Sequence, residues 1–593
     1  MIMKKYIMMI IASLMLVSCL DTVILPDDKT VDEDFWKSKS DVAQMVNGAY
    51  AGMATDNVIS RLIVWGDYRG DTYVLSPSAS DDNNATAQDL ADIAAANTQV
   101  TNSFSTWSDF YSVINKCNIV LKKAKETYES NVDPNYTEGD YLVDRSQMLA
   151  LRSLCYFYLV RTFRDVPYVE EAFMNSSQER QMVQSSPAYV LDRCIESLEE
   201  ASASALKASS YPYKYGDWRR VGWMTEDGIN TLLADIYLWR ASVLHSDADY
   251  QQCIAYCDRV IASKKAQHEK GRNETGNEAF PLEKAQNYYY NLFVAENAEE
   301  SIFEIQDEAN TAICQYLYKF KNNSSTEGYL KASSIFLATL SNPNLKFSSS
   351  VFATNDIRYY ASIFKTDNQE VYNARKMVSI QSVSSQTSES YGGQGSRDYG
   401  SFDQNWPVYR LPDAILMKAE AMVQLVDTVT AGLDDDAKAA KDAAALKELQ
   451  DVFEHYVAPV NTRACLTTDI MRWASLNKDY KTKTGMEKLV MEERMREFCF
   501  EGKRWFDLLR YNYRHVTGVD YNTILADQGE ALTPVYSDMM DLALRSRSET
   551  AGTKAKMRSE AYLYLPLPNS DVILSSGLKQ NPVYSSSNEY ERN

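Results

Sequence analysis

Histidine is scarce in this chain, with 4 residues among 593, and none of the 9 cysteines forms a CxxC pair. A zinc site needs a cluster of such ligands at defined spacing. Cys253 and Cys257 lie one helical turn apart, but no histidine stands at the spacing that a zinc site requires. The sequence therefore predicts no metal site and no cofactor, and it argues against a zinc enzyme.

Positive charge is also in deficit: 61 Lys and Arg residues stand against 81 Asp and Glu, and the net charge is −20. Such a field repels a phosphate backbone, so nucleic-acid binding is not expected. Apolar runs long enough to span a bilayer are missing after the N-terminus, which excludes a multi-span membrane protein. The apolar share of 45% and the charged share of 24% are typical of a globular chain with a large core.

The motifs of common enzyme active sites are missing as well. The chain contains no GxSxG, HExxH, GxGxxG or GxxxxGK[ST] pattern. Paired carboxylates could serve a glycosidase, but among 81 acidic residues such pairs arise by chance. No catalytic residue is predicted, and the protein is not expected to be an enzyme.

The N-terminus carries the features of a bacterial export signal. Lys4 and Lys5 precede an apolar run from Tyr6 to Val17, which is too short for a membrane-spanning helix. The run ends in LVSC, which resembles the lipobox, a motif whose cysteine is acylated and becomes the new N-terminus. These features predict a signal peptide over 1–18, palmitate-type lipidation at Cys19 and a flexible tether over 19–34. The alternative is an ordinary secretory signal with an unrelated cysteine.

Apolar residues at helical spacing dominate the rest of the chain. Helices are predicted at about 107–121, 147–163, 188–206, 225–244, 248–263, 414–426, 437–456 and 485–499. Polar stretches at 76–84, 264–277, 322–350 and 379–403 are predicted as long loops, which in compact proteins are usually functional or mobile. The predicted fold class is mainly α, with tetratricopeptide-like helix pairs, long irregular loops and few short strands.

One segment near the C-terminus is much more specific. Residues 491–510 read MEERMREFCFEGKRWFDLLR and resemble the C-terminal signature of the SusD/RagB family, nutrient-binding lipoproteins of Bacteroidetes. Other landmarks follow in the family's order. They are NGAY at 47–50, the helix from Trp107, Leu151-Arg152 with Phe163 to Pro167, ESIFEIQ at 300–306, YRLPD at 409–413 and QNPVY at 580–584. In the third of them, Ser153 and Arg164 replace the usual Ala and Gly. The resemblance spans essentially the whole mature chain.

The signature itself is interpreted as a structural element. Gly502 is predicted to end its first helix. Four charged residues are predicted to form a buried ion network that sets how two helices cross. These residues are Glu501, Arg504, Asp507 and Arg510.

The resemblance implies a SusD-like fold with an N-terminal helical region over 35–290 and a C-terminal region over 291–593. It further implies a position on the outer face of the outer membrane. There such proteins bind an oligo- or polysaccharide, or a peptide in the RagB branch, and deliver it to a SusC-like TonB-dependent transporter. The choice between glycan and peptide stays open at this point.

Sugar recognition requires aromatic faces together with amide, carboxylate or guanidinium groups that reach the hydroxyls. In the family these residues lie mostly on loops that differ between members. The predicted ligand-binding residues are Tyr73, Asn83, Tyr289, Tyr360, Tyr391 and Trp406. The alternative for each is core packing or a solvated loop, and the run from Tyr288 to Tyr290 also fits a helix with one buried ring.

Overall fold

The computed structural model describes residues 35–76, 85–174, 182–211, 217–272, 280–285, 287–307, 329–336, 351–353, 356–365, 372–374, 376, 404–466, 468, 470–525 and 551–587. The chain is mainly helical over these residues. Its α-helices are α1 Lys39–Met53, α2 Asp56–Ile63, α3 Ala85–Ala94, α4 Ser108–Glu129, α5 Glu138–Phe163, α6 Pro187–Ser202, α7 Glu226–Leu244, α8 Asp247–Arg272, α9 Tyr288–Phe293, α10 Ile357–Ser362, α11 Leu411–Leu425, α12 Asp435–Val452, α13 Ala458–Ala464, α14 Lys483–Phe498, α15 Arg504–Arg514, α16 Ala551–Lys556 and α17 Asn569–Leu574. None of the helices described is long and apolar enough to cross a membrane.

Consecutive helices pack against each other along most of the N-terminal half. Helix α4 packs on α5, α5 on α6 and α7 on α8, and α8 also contacts α11. Helix α5 begins at a capping box formed by Thr137 and Asp140, and every residue from Ser146 to its end at Phe163 is buried. The predicted mainly helical scaffold with packed helix pairs is confirmed.

The predicted loop over 264–277 is wrong in its first part. Helix α8 continues to Arg272 because tertiary contacts support this polar stretch. Lys264 lies in the core and donates to the backbone oxygens of Glu299 and Ser301. Most of the other three predicted loops, including all of 379–403, lies outside the described residues.

The strands are short and form two-stranded antiparallel pairs. This agrees with the predicted fold class, which contains few short strands. The strands are β1 Tyr73–Leu75, β2 Val166–Pro167, β3 Gln184–Ser185, β4 Ser301–Ile305, β5 Leu330–Ala332, β6 Ile363–Lys365, β7 Tyr372–Ala374 and β8 Trp406–Arg410. The pairs join β1 with β5, β2 with β3, β4 with β8 and β6 with β7. The register of β4 with β8 places Ser301 opposite Arg410.

One large hydrophobic core runs from α1 to the C-terminal segments, and a smaller one lies among α11, α12 and α14. The large core continues across the predicted boundary between residues 290 and 291. There the rings of Tyr288 and Phe293 lie 5.8 Å apart, edge to face. The division into regions 35–290 and 291–593 stays a prediction.

The four charged residues of the signature are all buried and ion-paired, as predicted, but they do not form one mutual network. Asp507 and Arg510 on α15 join Arg494 of α14 and Glu420 of α11, with nitrogen–oxygen distances of 2.6–3.0 Å. Glu501 instead accepts from Arg410 of β8, and Arg504 pairs with Asp71 at 2.8 and 2.9 Å. The signature therefore fastens several distant segments to one another.

Asp67 lies in a π-helical turn, Val64–Tyr68, that follows α2 and meets the signature. Its carboxylate accepts a hydrogen bond from the backbone N–H of Gly502. Burial raises the pKa of Asp67 from the ordinary 3.8 to about 7, although this hydrogen bond and one from the Arg504 N–H oppose the shift. Asp67 is therefore a titratable side chain at the contact between this turn and the signature segment, residues 491–510.

Asp67→Asn is expected to change how stability depends on pH. Between pH 4 and 7 the folded protein keeps a proton on Asp67 that the unfolded chain has released, so this group's contribution to stability falls as the pH rises. The asparagine keeps an accepting oxygen but does not titrate. The difference in free energy of unfolding, wild type minus variant, should therefore decrease from pH 4 to 7. Urea unfolding followed by circular dichroism at several pH values measures it, and a constant difference would contradict the expectation.

Candidate ligand-binding groove

A groove of about 590 Å³ lies beside the N-terminal half of α4. Helix α4 forms one wall, the segment 167–173 forms the second, and residues 571–578 near the C-terminus form the third. A volume of this size suits a small ligand or part of a longer one.

The first wall is a stripe of polar residues on α4. Ser108, Tyr111, Ser112 and Asn115 are spaced by three and four residues, so they share one face of the helix. The two serines are exposed, whereas Tyr111 and Asn115 are half-buried. This face lies next to the predicted core stripe of the same helix, in which Phe110 and Ile114 are buried.

The second wall is fastened to α4 by side-chain hydrogen bonds. The Asn115 amide donates to the carbonyl of Phe173 and accepts from its N–H, at 2.9 and 2.8 Å. Asn118 donates to the carbonyls of Val169 and Glu171. The Tyr111 hydroxyl donates to the Pro167 carbonyl at 2.6 Å. These bonds hold the irregular segment in place, so the groove does not depend on a free loop.

The third wall comes from the far end of the sequence. Asp571 on α17 accepts from the indole N–H of Trp107 at 2.7 Å. Ser575 donates to the carbonyl of Met182 at 3.0 Å. Helix α17 also carries Leu574, which is 85% exposed at the rim of the groove. The bond between Trp107 and Asp571 fixes the width of the groove at the start of α4.

The lining combines the half-buried aromatic rings of Tyr111 and Phe173, three serine hydroxyls and the carboxylates of Glu171 and Asp571. The described lining contains no lysine and no arginine. Hydroxyl and carboxylate groups accept from the hydroxyls of a sugar, and an aromatic ring packs on its C–H face. Because nothing in this lining neutralises negative charge, the groove favours an uncharged, hydroxyl-rich ligand over an anionic one.

Three of the residues predicted from the sequence to bind ligand, Tyr73, Tyr289 and Trp406, have described side chains, and none of these three lines the groove. Tyr73 on β1, Tyr289 on α9 and Trp406 on β8 are 1%, 5% and 2% exposed, and the Tyr73 ring packs against Phe500 at 4.7 Å. Such buried rings offer no open face for stacking, so the structure places core packing at these three positions. The hypothesis that one ring of the run from Tyr288 to Tyr290 is buried also needs correction, because Tyr288 and Tyr289 are both buried.

The backbone of Tyr360 belongs to α10. Asn83, Tyr391 and Cys19 lie outside the described residues. The ligand role of Asn83, Tyr360 and Tyr391 and the lipidation of Cys19 stay predictions. Among the described residues, no three His, Cys, Asp or Glu side chains come together where they could hold a metal ion.

The groove could not be predicted from the sequence for a physical reason. The polar residues of α4 form a stripe beside the apolar one, and polar stripes on helices usually face solvent. Only contact with Asp571, which lies 464 residues from Trp107, turns this face into the wall of a groove.

Comparison with known protein families gives two matches. A family described as "SusD family" matches residues 245–584, which is more than half of the chain. A second family, described as "Starch-binding associating with outer membrane", matches residues 24–215.

Individual proteins agree with these matches. The chain is 24% identical over 521 residues to SusD-like protein P38 of Formosa agariphila, covering 82% of this chain and 86% of that protein. A SusD superfamily protein from Bacteroides vulgatus superposes with a TM-score of 0.60 at 18% identity, covering 92% of this chain and 99% of the other. NanU from B. fragilis superposes with a TM-score of 0.57 at 18% identity, covering 94% of this chain and 100% of NanU. At this level of identity the two structures share the fold.

Proposed function

We propose a function from the premise that this chain belongs to the SusD family, whose pattern matches residues 245–584. The protein is a cell-surface lipoprotein that binds a nutrient glycan and delivers it to a SusC-like TonB-dependent outer-membrane transporter. The glycan is an uncharged oligo- or polysaccharide, and it binds in the groove beside α4.

The observation that carries the glycan assignment is the lining of the groove. An aromatic ring, hydroxyls and carboxylates converge there without a lysine or arginine among the described lining residues. This is the set of groups that a neutral sugar requires. The family description that matches residues 24–215, which names starch binding, supports the same class of ligand.

The location rests on the N-terminus and on that same family description. The apolar run and the LVSC motif fit export and lipidation at Cys19, and residues 19–34 would tether the folded part to the lipid. Association with the outer membrane is named in the family description. A tethered binding protein that delivers its ligand needs no chemistry of its own, which agrees with the expectation that the chain is not an enzyme.

The proposal predicts saturable glycan binding without turnover. The mature chain starting after Cys19 is screened by affinity electrophoresis and calorimetry against neutral and anionic polysaccharides, starch among them, with a peptide mixture in parallel. Retention by a neutral polysaccharide, with no shortening of the polymer, is the expected result. Binding of peptides alone would contradict the glycan assignment and support the RagB-type alternative.

Ser112→Trp is expected to weaken binding of the retained glycan by about tenfold or more, because an indole at this exposed position fills the groove. The folded structure should be unaffected, since Ser112 is exposed on α4. Lys125→Trp, which is also exposed on α4 but lies outside the groove lining, is the matched control and should leave the affinity unchanged. Calorimetry measures both variants. Equal affinities for Ser112→Trp and the wild type would show that the glycan binds elsewhere.

A further inference from the structure

Trp218 differs from the other tryptophans of the chain. All nine lie in the described residues, and Trp218 is the only one that is exposed, at 46%. It lies in a segment rich in aromatic residues between α6 and α7, and it is not among the described residues that line the groove. Exposed single apolar residues are common, so its surroundings decide whether it has a role.

The backbone around Trp218 is firmly held. Trp218–Arg220 form a 3₁₀ turn, and the Asp217 carboxylate caps it by accepting from the Arg219 N–H at 3.1 Å. The Trp218 carbonyl accepts from the Gly222 N–H at 2.7 Å. Strand β4 fixes the end of the turn, because the Glu304 N–H donates to the Val221 carbonyl at 2.9 Å. Hydrogen bonds to neighbouring residues and to strand β4 therefore hold the backbone that bears the Trp218 ring.

The Trp218 ring begins a stack of aromatic rings that runs into the core. It lies parallel to the Trp223 ring, with centroids 5.8 Å apart and an angle of 18°. Trp223 contacts Tyr50 edge to face at 5.7 Å, and Tyr50 contacts Phe303 of β4 at 6.4 Å. The Trp223 ring thus stacks on one side of Trp218, which still remains 46% exposed.

Arg219, the next residue in the chain, has a guanidinium that is held in place. The Arg219 guanidinium binds both carboxylate oxygens of Asp217, at 2.9 and 2.6 Å, through Nε and Nη2. It also lies over the Tyr211 ring, 5.3 Å from the centroid. These bonds fix the plane of the guanidinium and leave Nη1 able to donate. In this ion pair the Arg219 side chain is 46% exposed to solvent.

We infer that Trp218, Tyr211 and Arg219, here named the Trp218 platform, form a second carbohydrate-binding site that stacks a hexopyranose ring of the same glycan. The C–H face of the sugar packs on the open face of Trp218, and a guanidinium held in a fixed plane donates to the hydroxyls at the ring edge. This inference rests on the proposed function.

A second site changes how the protein holds a long glycan. A polymer that occupies the groove and the platform together binds more tightly than at either site alone, because the second contact forms within the complex. A short oligosaccharide that reaches one site does not gain this advantage.

The test observes Trp218 directly. The mature chain is labelled with 5-fluorotryptophan, and the Trp218 fluorine resonance is assigned by its loss in Trp218→Phe. Maltoheptaose, cellohexaose, xylohexaose and mannohexaose are the probes. The resonance is expected to shift saturably with at least one of them. Trp218→Ala should weaken binding of the corresponding polysaccharide about tenfold.

Trp473→Ala is the matched control, because Trp473 also lies in a 3₁₀ turn, is half-buried and contacts one aromatic ring, Phe453. It should not change the affinity. If the wild type binds a glycan while the Trp218 resonance stays fixed and Trp218→Ala binds equally well, the platform is overturned and the proposed function stands. If no glycan binds the wild type, the platform and the proposed function fall together.

Discussion

Arg410→Met is expected to lower the free energy of unfolding by about 3–5 kcal/mol, because it leaves three buried carboxylates without their shared cation. In the native protein the Arg410 guanidinium donates to Glu300 at 2.6 Å, to Glu497 at 2.8 Å and to Glu501 at 2.8 and 3.0 Å. All four side chains are at most 2% exposed. Urea unfolding at pH 7, followed by circular dichroism, measures the loss.

Electrostatics at Glu497 support a large effect. Burial alone would raise the pKa of this carboxyl, but Arg463 and Arg410 hold it well below its ordinary value, and Arg358 and Lys376 act in the same direction. The pKa of Glu501 is likewise lowered against the effect of burial, first by Arg410 and then by Lys376. These carboxylates stay charged because the nearby cations stabilise the charged form. The loss of Arg410 therefore destabilises several of them at once.

The control removes an arginine of the same kind from the surface. Arg145 pairs with Glu200 at 2.6 Å, but both side chains are open to solvent. Arg145→Met should therefore change the free energy of unfolding by no more than about 0.5 kcal/mol. If both variants lost the same small amount, the buried cluster around Arg410 would not stabilise the fold in the way its geometry indicates.

The helical scaffold could be predicted from the sequence because helix signals are local. The apolar periodicity of the sequence predicts both α5 and the signature helix α14. In the structure both helices bury the apolar residues that carry this periodicity. Burial of the charged signature residues was also predictable. Their partners were not, because Asp71 lies 433 residues from Arg504 and only the folded chain brings the two together.

The same dependence on contacts between distant parts of the sequence explains why the ligand-binding residues could not be recognised from the sequence. A tyrosine next to a polar loop gives the same local pattern whether its ring faces solvent or the core. Tyr73 is buried because β1 pairs with β5, which places Tyr73 opposite Ala332, and this pairing joins segments about 260 residues apart. Trp218 shows the converse: its ring stacks on Trp223 and still remains 46% exposed, which the sequence pattern does not indicate.

The contact between the signature and the N-terminal half leads to the second large effect. Gly66 lies in the π-helical turn after α2. The predicted helix end at Gly502 is wrong, because α14 ends at Phe498. Gly502 lies in the following turn with a φ of +74° and packs against Gly66 backbone to backbone. A Cβ on Gly66 would lie 1.8 Å from the carbonyl oxygen and 2.4 Å from the carbonyl carbon of Gly502. No rotation of a side chain can relieve such a contact, so the two segments must separate.

Gly66→Ala is therefore expected to lower the free energy of unfolding by about 3 kcal/mol or more. Separation would lengthen the hydrogen bond from Gly502 to Asp67 and disturb the nearby ion pair between Arg504 and Asp71. Gly48→Ala is the control within a helix: a Cβ there meets no atom within 4 Å, so alanine should raise stability by about 0.5–1 kcal/mol. Urea unfolding of both variants measures the contrast. A Gly66→Ala protein as stable as the wild type would mean that the signature does not fasten the two halves through this backbone contact.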